Sequence, residues 1–391
     1  MLKAERKLLE WADRHLQIIV IAVFCLLGLL IRWPVRNLVS GDAHYFLLPW
    51  YEQIKENGLS QQVGDYNLLY QALIALMTHL PLEPLHAYKL LSVVFDYSLA
   101  AGAGILAASL VEQDKLWKGT VAFGLVLFSP LVVLNSAAWA QCDAIYTCFG
   151  VLSLLALLKQ RHALAMVLLG LSFTFKLQAV FLLPLFLFVY YSRRKFSAAL
   201  FLLIPLTMCA ASLPSLFFGR SLSDVFLIYF NQTSSYPYMA MNYPSAWLLL
   251  VNGMSASAYE LLRLPAMIFT VVVLALLMLY WLRRANAPEG QDLLIMAFLM
   301  CYACVLFLPS MHERYGFLYE VLAIVLAVLM PKTAPLCAGL IGISVCTYGS
   351  YLFGWECLPL NTLAVINLAL FIAYTCTLLR RMNGCNSNVR K

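Results

Sequence analysis

Long apolar runs, separated by short polar segments, occupy almost the whole of this chain and constrain its fold more than any other feature. A helix needs about 20 apolar residues to cross the hydrocarbon core of a bilayer. Hydrophobic residues make up 63% of the chain and charged residues 12%, which excludes a soluble globular protein. The runs that are long enough to form helices lie at 16–33, 87–111, 119–135, 142–158, 162–175, 177–191, 197–213, 259–282, 292–309, 315–330, 334–353 and 360–379.

The sequence therefore predicts an all-α polytopic membrane protein with about twelve transmembrane helices in a single domain, residues 1–391. Two further apolar stretches, 67–80 and 244–253, are too short to span and are expected to form interfacial helices. They lie in the two longest outer loops, at about 34–86 and 214–258. The sequence shows no glycine-rich phosphate loop and no separate nucleotide-binding unit, so neither ATP-driven transport nor nucleic-acid binding is expected.

The distribution of Lys and Arg predicts which side each loop faces, because basic residues favour the cytoplasmic side. With both termini in the cytoplasm, most of the 26 basic residues fall in inner segments. Counting 67–80 as a span would place the basic cluster at 193–195 outside. The distinctive polar residues then collect at helix ends on the non-cytoplasmic face, whereas a transporter would more naturally carry them at mid-membrane. A bacterial inner or plasma membrane is the expected location.

A few residues inside the apolar runs have two interpretations. The chain has 11 cysteines, and we expect no disulfide framework among them. Cys301 and Cys304 form a Cys-x-x-Cys pattern, but no second Cys or His pair accompanies it, so packing is the expected role. Asp96 either makes a polar contact between two helices or has a role beneath a ligand pocket. The first run, 16–33, lacks a small-residue cleavage site and is expected to remain as an anchor.

An acid, Asp42, follows the first apolar run in the segment Leu-Val-Ser-Gly-Asp-Ala-His. A carboxylate at the apolar boundary can be partly desolvated, which would allow it to act as a general base for an acceptor hydroxyl. The alternative is an aspartate that caps a loop beside the turn-forming Gly41. His44 could assist the base or serve as an ordinary hydrogen-bonding residue.

Cationic groups at two other outer junctions could bind a phosphate. Lys176 runs against the positive-inside bias and needs a local anion, for which a lipid phosphate at headgroup depth is a candidate, with Gln178 as a hydrogen-bond donor. Snorkelling to the interface is the alternative. His312 and Arg314 could hold phosphate oxygens, since a guanidinium supplies two parallel donors, and Glu313 could orient one of them. The alternative for this second junction is capping of two helix ends.

Donors and aromatic rings suited to sugar or acceptor recognition cluster at the junction that carries Trp139, Gln141 and Asp143. Tyr236 adds a ring from the second large outer loop. Aromatic belts occur at any membrane interface, so a ring taken singly is weak support. The sequon Asn231-Gln-Thr lies in the same loop and matters where a compartment glycosylates proteins.

A base combined with several phosphate-binding groups suits transfer from a sugar phosphate. Hydrolysis of a glycoside needs two carboxylates, because the leaving alkoxide must be protonated. A lipid phosphate leaves readily once its charge is held, so Asp42 with Lys176, His312 and Arg314 could support an in-line displacement with inversion. Nucleotide sugars are expected on the cytoplasmic side. The donor should therefore be linked to polyprenyl phosphate, with a glycan or a lipid-linked molecule as acceptor.

At these residues the chain resembles the GT-C superfamily of integral-membrane glycosyltransferases, in particular bacterial proteins related to the second mannosyltransferase of GPI-anchor synthesis. Ser-Gly-Asp at 40–42 matches the catalytic acid of the family's first outer loop. Trp-Ala-Gln-Cys-Asp at 139–143 is similar to its Trp-Gly-Gln-x-Asp segment, and Phe-Lys-Leu-Gln at 175–178 also matches. His-Glu-Arg at 312–314 stands where eukaryotic dolichyl-phosphoglucose glucosyltransferases carry His-Glu-Lys.

This resemblance implies the GT-C fold, a catalytic Asp42 and membrane lipids as partners. Many members carry an acidic pair in the first loop, whereas here Ala43 follows the acid, so we expect activity without a metal or other cofactor. Two other functions stay open at this point. The first is a polysaccharide polymerase or ligase with lipid-pyrophosphate donors, and the second is a flippase or transporter of lipid-linked sugars. The sequence does not identify the sugar, the acceptor, the linkage or the oligomeric state.

Overall fold

The computed structural model describes residues 3–64, 66–221, 223, 228, 236–283 and 288–387, and the Asn231 sequon lies outside them. The described part is mainly helical. Its α-helices are α1 Lys3–Arg32, α2 Leu48–Asn57, α3 Leu68–Met77, α4 Pro84–Ser109, α5 Lys115–Phe128, α6 Pro130–Val133, α7 Asp143–Leu158, α8 His162–Phe175, α9 Leu183–Arg193, α10 Leu203–Ser212, α11 Ala256–Leu282, α12 Gln291–Phe307, α13 Phe317–Leu329, α14 Ala334–Phe353 and α15 Leu360–Ser387.

The membrane character of the chain is confirmed, and the number of spans is not. In the described residues, the helices long and apolar enough to cross a bilayer are Glu5–Val35, Pro84–Ser109, Ala198–Phe218, Ala256–Leu282, Pro331–Phe353 and Leu360–Arg381. A bent pair, Lys115–Phe128 with Pro130–Ala138, would add a seventh span. These helices indicate a multi-pass membrane protein. Each of the twelve predicted runs contains helix, but the other helices are shorter, so the expected number of spans is not confirmed.

Helices α12 and α13 form the centre of the bundle, and residues 293–307 of α12 are all buried. Around them, α4 packs against α5 and α7, and α7 packs against α8. Helices α4 and α5 meet closely because two glycines face each other. A Cβ on Gly104 would lie 2.8 Å from the carbonyl oxygen of Gly119. Small residues allow transmembrane helices to approach in this way.

A buried ion pair links α1, α4 and the π-helical turn Leu134–Ala138. Arg32 donates from Nε and Nη2 to Asp96 Oδ2, at 3.0 and 2.8 Å. The hydroxyl of Ser136 donates to the same oxygen at 2.5 Å. A charge at this depth is stable when it is paired. Of the two roles predicted for Asp96, the structure shows the helix–helix contact, and this contact anchors the turn that leads to Trp139.

The loop between α1 and α4 is attached to α4 by Lys89. The ammonium group of Lys89 donates to the carbonyl oxygens of Val35, Arg36 and Leu38, at 2.9, 3.0 and 2.7 Å. These three bonds use every donor of the ammonium group. They hold the backbone a few residues before Asp42. The loop continues through α2 into α3, which is the helix expected at 67–80.

The loop between α10 and α11 is attached by a short parallel pair of strands, β1 Ala240–Met241 and β2 Met311–His312. Ser310 adds bonds from its N–H and its hydroxyl to carbonyl oxygens of this loop. The interfacial helix predicted at 244–253 is instead a single 3₁₀ turn, Ala246–Leu249, because a proline before it and an Asn-Gly pair after it leave too few residues for a longer helix.

Candidate active site

Asp42 lies in the loop between α1 and α2, and donors from three other parts of the chain hold its carboxylate. Its Oδ2 accepts from Trp139 Nε1 at 3.0 Å, Gln141 Nε2 at 2.6 Å and Arg314 Nη1 at 3.3 Å. Its Oδ1 accepts from the hydroxyl of Tyr351 at 2.6 Å. The side chain of Asp42 is 21% exposed. The carboxylate is therefore oriented by the protein and still open to a substrate.

The Ser-Gly-Asp segment allows this close docking. A Cβ on Gly41 would lie 3.0 Å from the hydroxyl oxygen of Tyr351, so glycine gives the tyrosine room. The same hydroxyl accepts from the backbone N–H of Asp42 at 3.1 Å. Ser40 donates from its hydroxyl to the carbonyl oxygen of Trp139 at 3.0 Å. The three residues together dock the acid against the end of α14 and the segment before α7.

A second carboxylate, Asp143, is fully buried beside the first. Lys176 Nζ donates to Asp143 Oδ1 at 2.5 Å, and Asn135 Nδ2 donates to Asp143 Oδ2 at 2.8 Å. Asp143 begins α7 and Lys176 follows the last residue of α8, so the ion pair joins the start of α7 to the end of α8. The sequence predicts Lys176 as a cation for a ligand. In the structure an acid already neutralises it, and its remaining N–H donors can face a ligand.

Arg314 lies between the two acids. Burial lowers the pKa of Arg314, but the charges of Asp143 and Asp42 raise this pKa by a larger amount. The guanidinium therefore stays charged. The guanidinium carbon is 5.6 Å from the centroid of the Trp139 ring. Among the described residues, no acceptor faces the buried Nε of Arg314. An anion that enters the site would find this donor unused.

His312 is enclosed by two tyrosines. Its ring centroid is 5.1 Å from the ring centroid of Tyr236 and 5.1 Å from that of Tyr315, both edge to face. Burial lowers the pKa of His312 to about 3, and the charges of Arg314 and Lys176 lower it further. The imidazole is therefore neutral near pH 7. His312 can offer a ligand a hydrogen bond, but it does not add a positive charge to the unliganded site.

Glu313 is buried behind these groups, with 5% of its surface exposed. Burial raises the pKa of Glu313 to about 7; the charge of Arg314 opposes this rise, whereas Asp42 and Asp143 add to it. The carboxyl group is therefore partly protonated near neutral pH. Asp42 and Asp143 are paired with the two cations Arg314 and Lys176.

We expect the Glu313→Gln variant to lose a pH dependence of stability. The pKa of Glu313 is about 7 in the folded protein against a usual value of 4.5, so the unfolded chain releases this proton first as the pH rises. The wild type should therefore lose stability relative to the variant between those two pKa values, by about 3 kcal/mol at most. Melting temperatures at pH 5 and pH 8 in detergent measure the difference. Glu52→Gln, at an exposed acid of α2, is the control, and an identical pH dependence in wild type and Glu313→Gln would contradict the expectation.

The other predicted residues lie at the margin of the cluster. The side chain of Gln178 hydrogen-bonds with Tyr315, and its buried Oε1 has no donor among the described residues. His44 is exposed, and its ring packs against Tyr45 with the centroids 4.8 Å apart. The predicted residues that the structure brings together are Asp42, Trp139, Gln141, Asp143, Lys176, Gln178, Tyr236, His312, Glu313 and Arg314.

Two features of the site are not predicted from the sequence. Tyr351 stands near the end of an ordinary apolar run, and its neighbours in the sequence do not mark it as a partner of Asp42. Ala140 has a left-handed backbone, with φ of 66°, where the resembling motif carries glycine. An alanine in this conformation costs about 1 kcal/mol. The strain is local to the turn that aims Trp139 and Gln141 at the same carboxylate oxygen.

The donor set of the site suits an anion. In the part of the chain that the structure describes, no group of three His, Cys, Asp or Glu side chains is placed to hold a metal ion. The two acids, Asp42 and Asp143, face ammonium, guanidinium, amide, indole and hydroxyl donors instead. A ligand with negative charge could compete for these donors.

Comparison with known families adds an independent finding. A family model, GT87, described as Glycosyltransferase family 87, matches residues 66–309. A search of curated proteins gives no match. The matched region contains the segment 139–143 and Lys176, while Asp42 precedes it and 312–314 lie shortly after its end. The match supports a membrane glycosyltransferase, and it does not confirm the finer resemblance to the second mannosyltransferase of GPI-anchor synthesis.

Proposed function

This chain belongs to glycosyltransferase family 87, and we propose that it moves a sugar from a polyprenyl-phosphate donor to a glycan or a lipid-linked acceptor, with inversion at the anomeric carbon. The observation that carries this proposal is the contact between Asp42 and Arg314, directly beside the pair formed by Lys176 and Asp143. A base and two cations in one place suit transfer from a phosphate. We place the site on the non-cytoplasmic face, in line with the distribution of Lys and Arg.

We assign Asp42 as the general base. It takes the proton of the acceptor hydroxyl while the acceptor oxygen bonds to the anomeric carbon of the donor sugar. The bond between that carbon and the phosphate oxygen breaks, and the phosphate leaves with the electron pair. Arg314 and Lys176 hold the negative charge that develops on the phosphate. The phosphate therefore needs no second carboxylate to protonate it.

The donor phosphate would exchange places with Asp42 on Arg314. The contact between Arg314 Nη1 and Asp42 Oδ2 is 3.3 Å, the longest of the four side-chain contacts to this carboxylate. A phosphate can accept two parallel hydrogen bonds from a guanidinium and so compete for it. Asp42 would keep its bonds from Trp139, Gln141 and Tyr351.

Two residues receive different roles from those predicted from the sequence. The ring of Trp139 is fully buried and stacks on a tyrosine of α14 with centroids 4.4 Å apart, so no face is free for a sugar. Asp143 is fully buried and paired with Lys176. We assign both to positioning. Tyr236, which is 42% exposed, and the neutral His312 beside it are better placed to contact sugar or acceptor hydroxyls.

A reconstituted assay with two donors tests the proposal. The same sugar is offered on a polyprenyl monophosphate and on a polyprenyl diphosphate, and the anomeric configuration of the product is determined by NMR. We expect transfer from the monophosphate with inversion. Preference for the diphosphate would support a polymerase or ligase instead. Movement of the donor across the bilayer without a new glycosidic bond would support a flippase.

We expect the transfer to proceed without a divalent metal ion. Asp42 is followed by Ala43 rather than by a second acid, and its carboxylate oxygens face N–H and O–H donors. Transfer rates should therefore be unchanged after dialysis against EDTA, to within about twofold. Loss of activity that Mn²⁺ or Mg²⁺ restores would contradict this expectation.

A further inference from the structure

We propose that Cys346 and Cys357 form a disulfide bond at the outer end of α14. The thiol groups of these two cysteines lie close enough to interact. Cys357 is exposed and Cys346 partly exposed, so an oxidant can reach the pair. The sequence predicts no disulfide framework, because its cysteines are scattered and lie mostly inside apolar runs.

The backbone explains how the two cysteines meet. Helix α14 ends at Phe353, and Gly354 turns the chain with a φ of 68°. The N–H of Trp355 then bonds to the carbonyl oxygen of Gly349 at 3.2 Å. The Trp355 side chain would lie 3.7 Å from a Cβ on Gly349. The chain thus folds back along α14, which brings Cys357 beside Cys346. Cys346 lies about one helical turn before Gly349.

The reaction needs an oxidant that acts on the outer side of the membrane. Each thiol loses a proton, the two sulfur atoms join, and the two electrons reduce a disulfide of a thiol–disulfide oxidoreductase to a dithiol. Such conditions exist in the periplasm or a secretory lumen and not in the cytosol. The proposal therefore rests on the outer placement of the site given above.

The bond would bear on the active site because it closes a loop that contains Tyr351. This tyrosine holds Asp42 through a bond of 2.6 Å, and it lies between the two cysteines in the sequence. A cross-link restricts the unfolded chain and stabilises the closed loop. Reduction should therefore lower the melting temperature, and the Cys346→Ser and Cys357→Ser variants should melt at the same temperature as the reduced wild type.

Thiol trapping tests the proposal directly. Membranes are denatured in the presence of a maleimide, without reductant, and the peptides are examined by mass spectrometry. We expect Cys346 and Cys357 to be recovered as one linked peptide that separates only after reduction. In the Cys346→Ser variant, Cys357 should react with maleimide without reduction. Recovery of both residues as maleimide adducts from unreduced wild-type membranes would overturn the disulfide.

A second measurement separates failure of the disulfide from failure of the site placement. A membrane-impermeant maleimide is added to intact cells that carry the Cys346→Ser variant. Labelling of Cys357 in intact cells supports the outer face. If it is labelled only after permeabilisation, the outer placement is wrong and the proposed disulfide loses its oxidising compartment. Transfer assays on the same preparations report on the glycosyltransferase function independently of either result.

Discussion

The Asp42→Asn variant is expected to lose about 10³-fold of the transfer rate, because an amide cannot take the proton of the acceptor hydroxyl. The substitution keeps the size and shape of the side chain. It also removes the negative charge that occupies Arg314 in the unliganded site. Binding of the lipid-phosphate donor should therefore be retained or become tighter. A rate that falls while the donor affinity holds is the signature of a base, and a capping residue would not produce it.

The assay for this variant measures single-turnover transfer and donor binding separately. Glu52→Gln is the matched control, since Glu52 is an exposed acid in the same loop between α1 and α4 and should change neither quantity. Full activity in Asp42→Asn would remove Asp42 from the role of base. Loss of activity together with loss of donor binding would point to a structural defect, and the melting temperature of the variant would reveal it.

The meeting of distant residues at the site could be predicted from the sequence, because the distribution of Lys and Arg predicts which helix ends share a face of the membrane. Basic residues mark inner segments, so Asp42, Lys176 and Arg314 are expected on the opposite side. What the sequence did not provide is the pairing among them. Whether Lys176 faces Asp143 or an open pocket depends on how α7 and α8 pack, and no local pattern encodes that contact. The same holds for Tyr351, whose partner lies 309 positions away in the chain.

Helix lengths were predicted less well than helix positions. Apolar composition shows where a helix is stable, but it does not show whether that helix crosses the bilayer alone or lies buried among others. Residues 293–307 of α12 are a clear case, since they are buried all round by protein. The sequence also does not show which polar groups pair inside the bundle. The partner of Asp96, Arg32, belongs to another predicted run.

The Arg314→Lys variant is expected to lower kcat/KM for the donor by about 10²-fold while the protein still folds. A lysine keeps the positive charge that Asp42 and Asp143 require, so the buried acids are not left unpaired. It removes the fork of parallel donors, including the Nε that has no acceptor in the described part of the chain. The loss should fall on KM for the donor and on kcat together, because the guanidinium is proposed to bind the phosphate and to stabilise its departure.

Two comparisons make the Arg314→Lys result decisive. Arg263→Lys changes an exposed arginine whose charged partner is the nearby Glu260, and its kinetics should match those of the wild type. The double variant Asp42→Asn with Arg314→Lys should bind the donor more weakly than Asp42→Asn alone, because the guanidinium contacts the phosphate whether or not the base is present. Equal donor affinity in these two variants would show that Arg314 serves the carboxylate and not the phosphate, and the proposed exchange of partners would then be wrong.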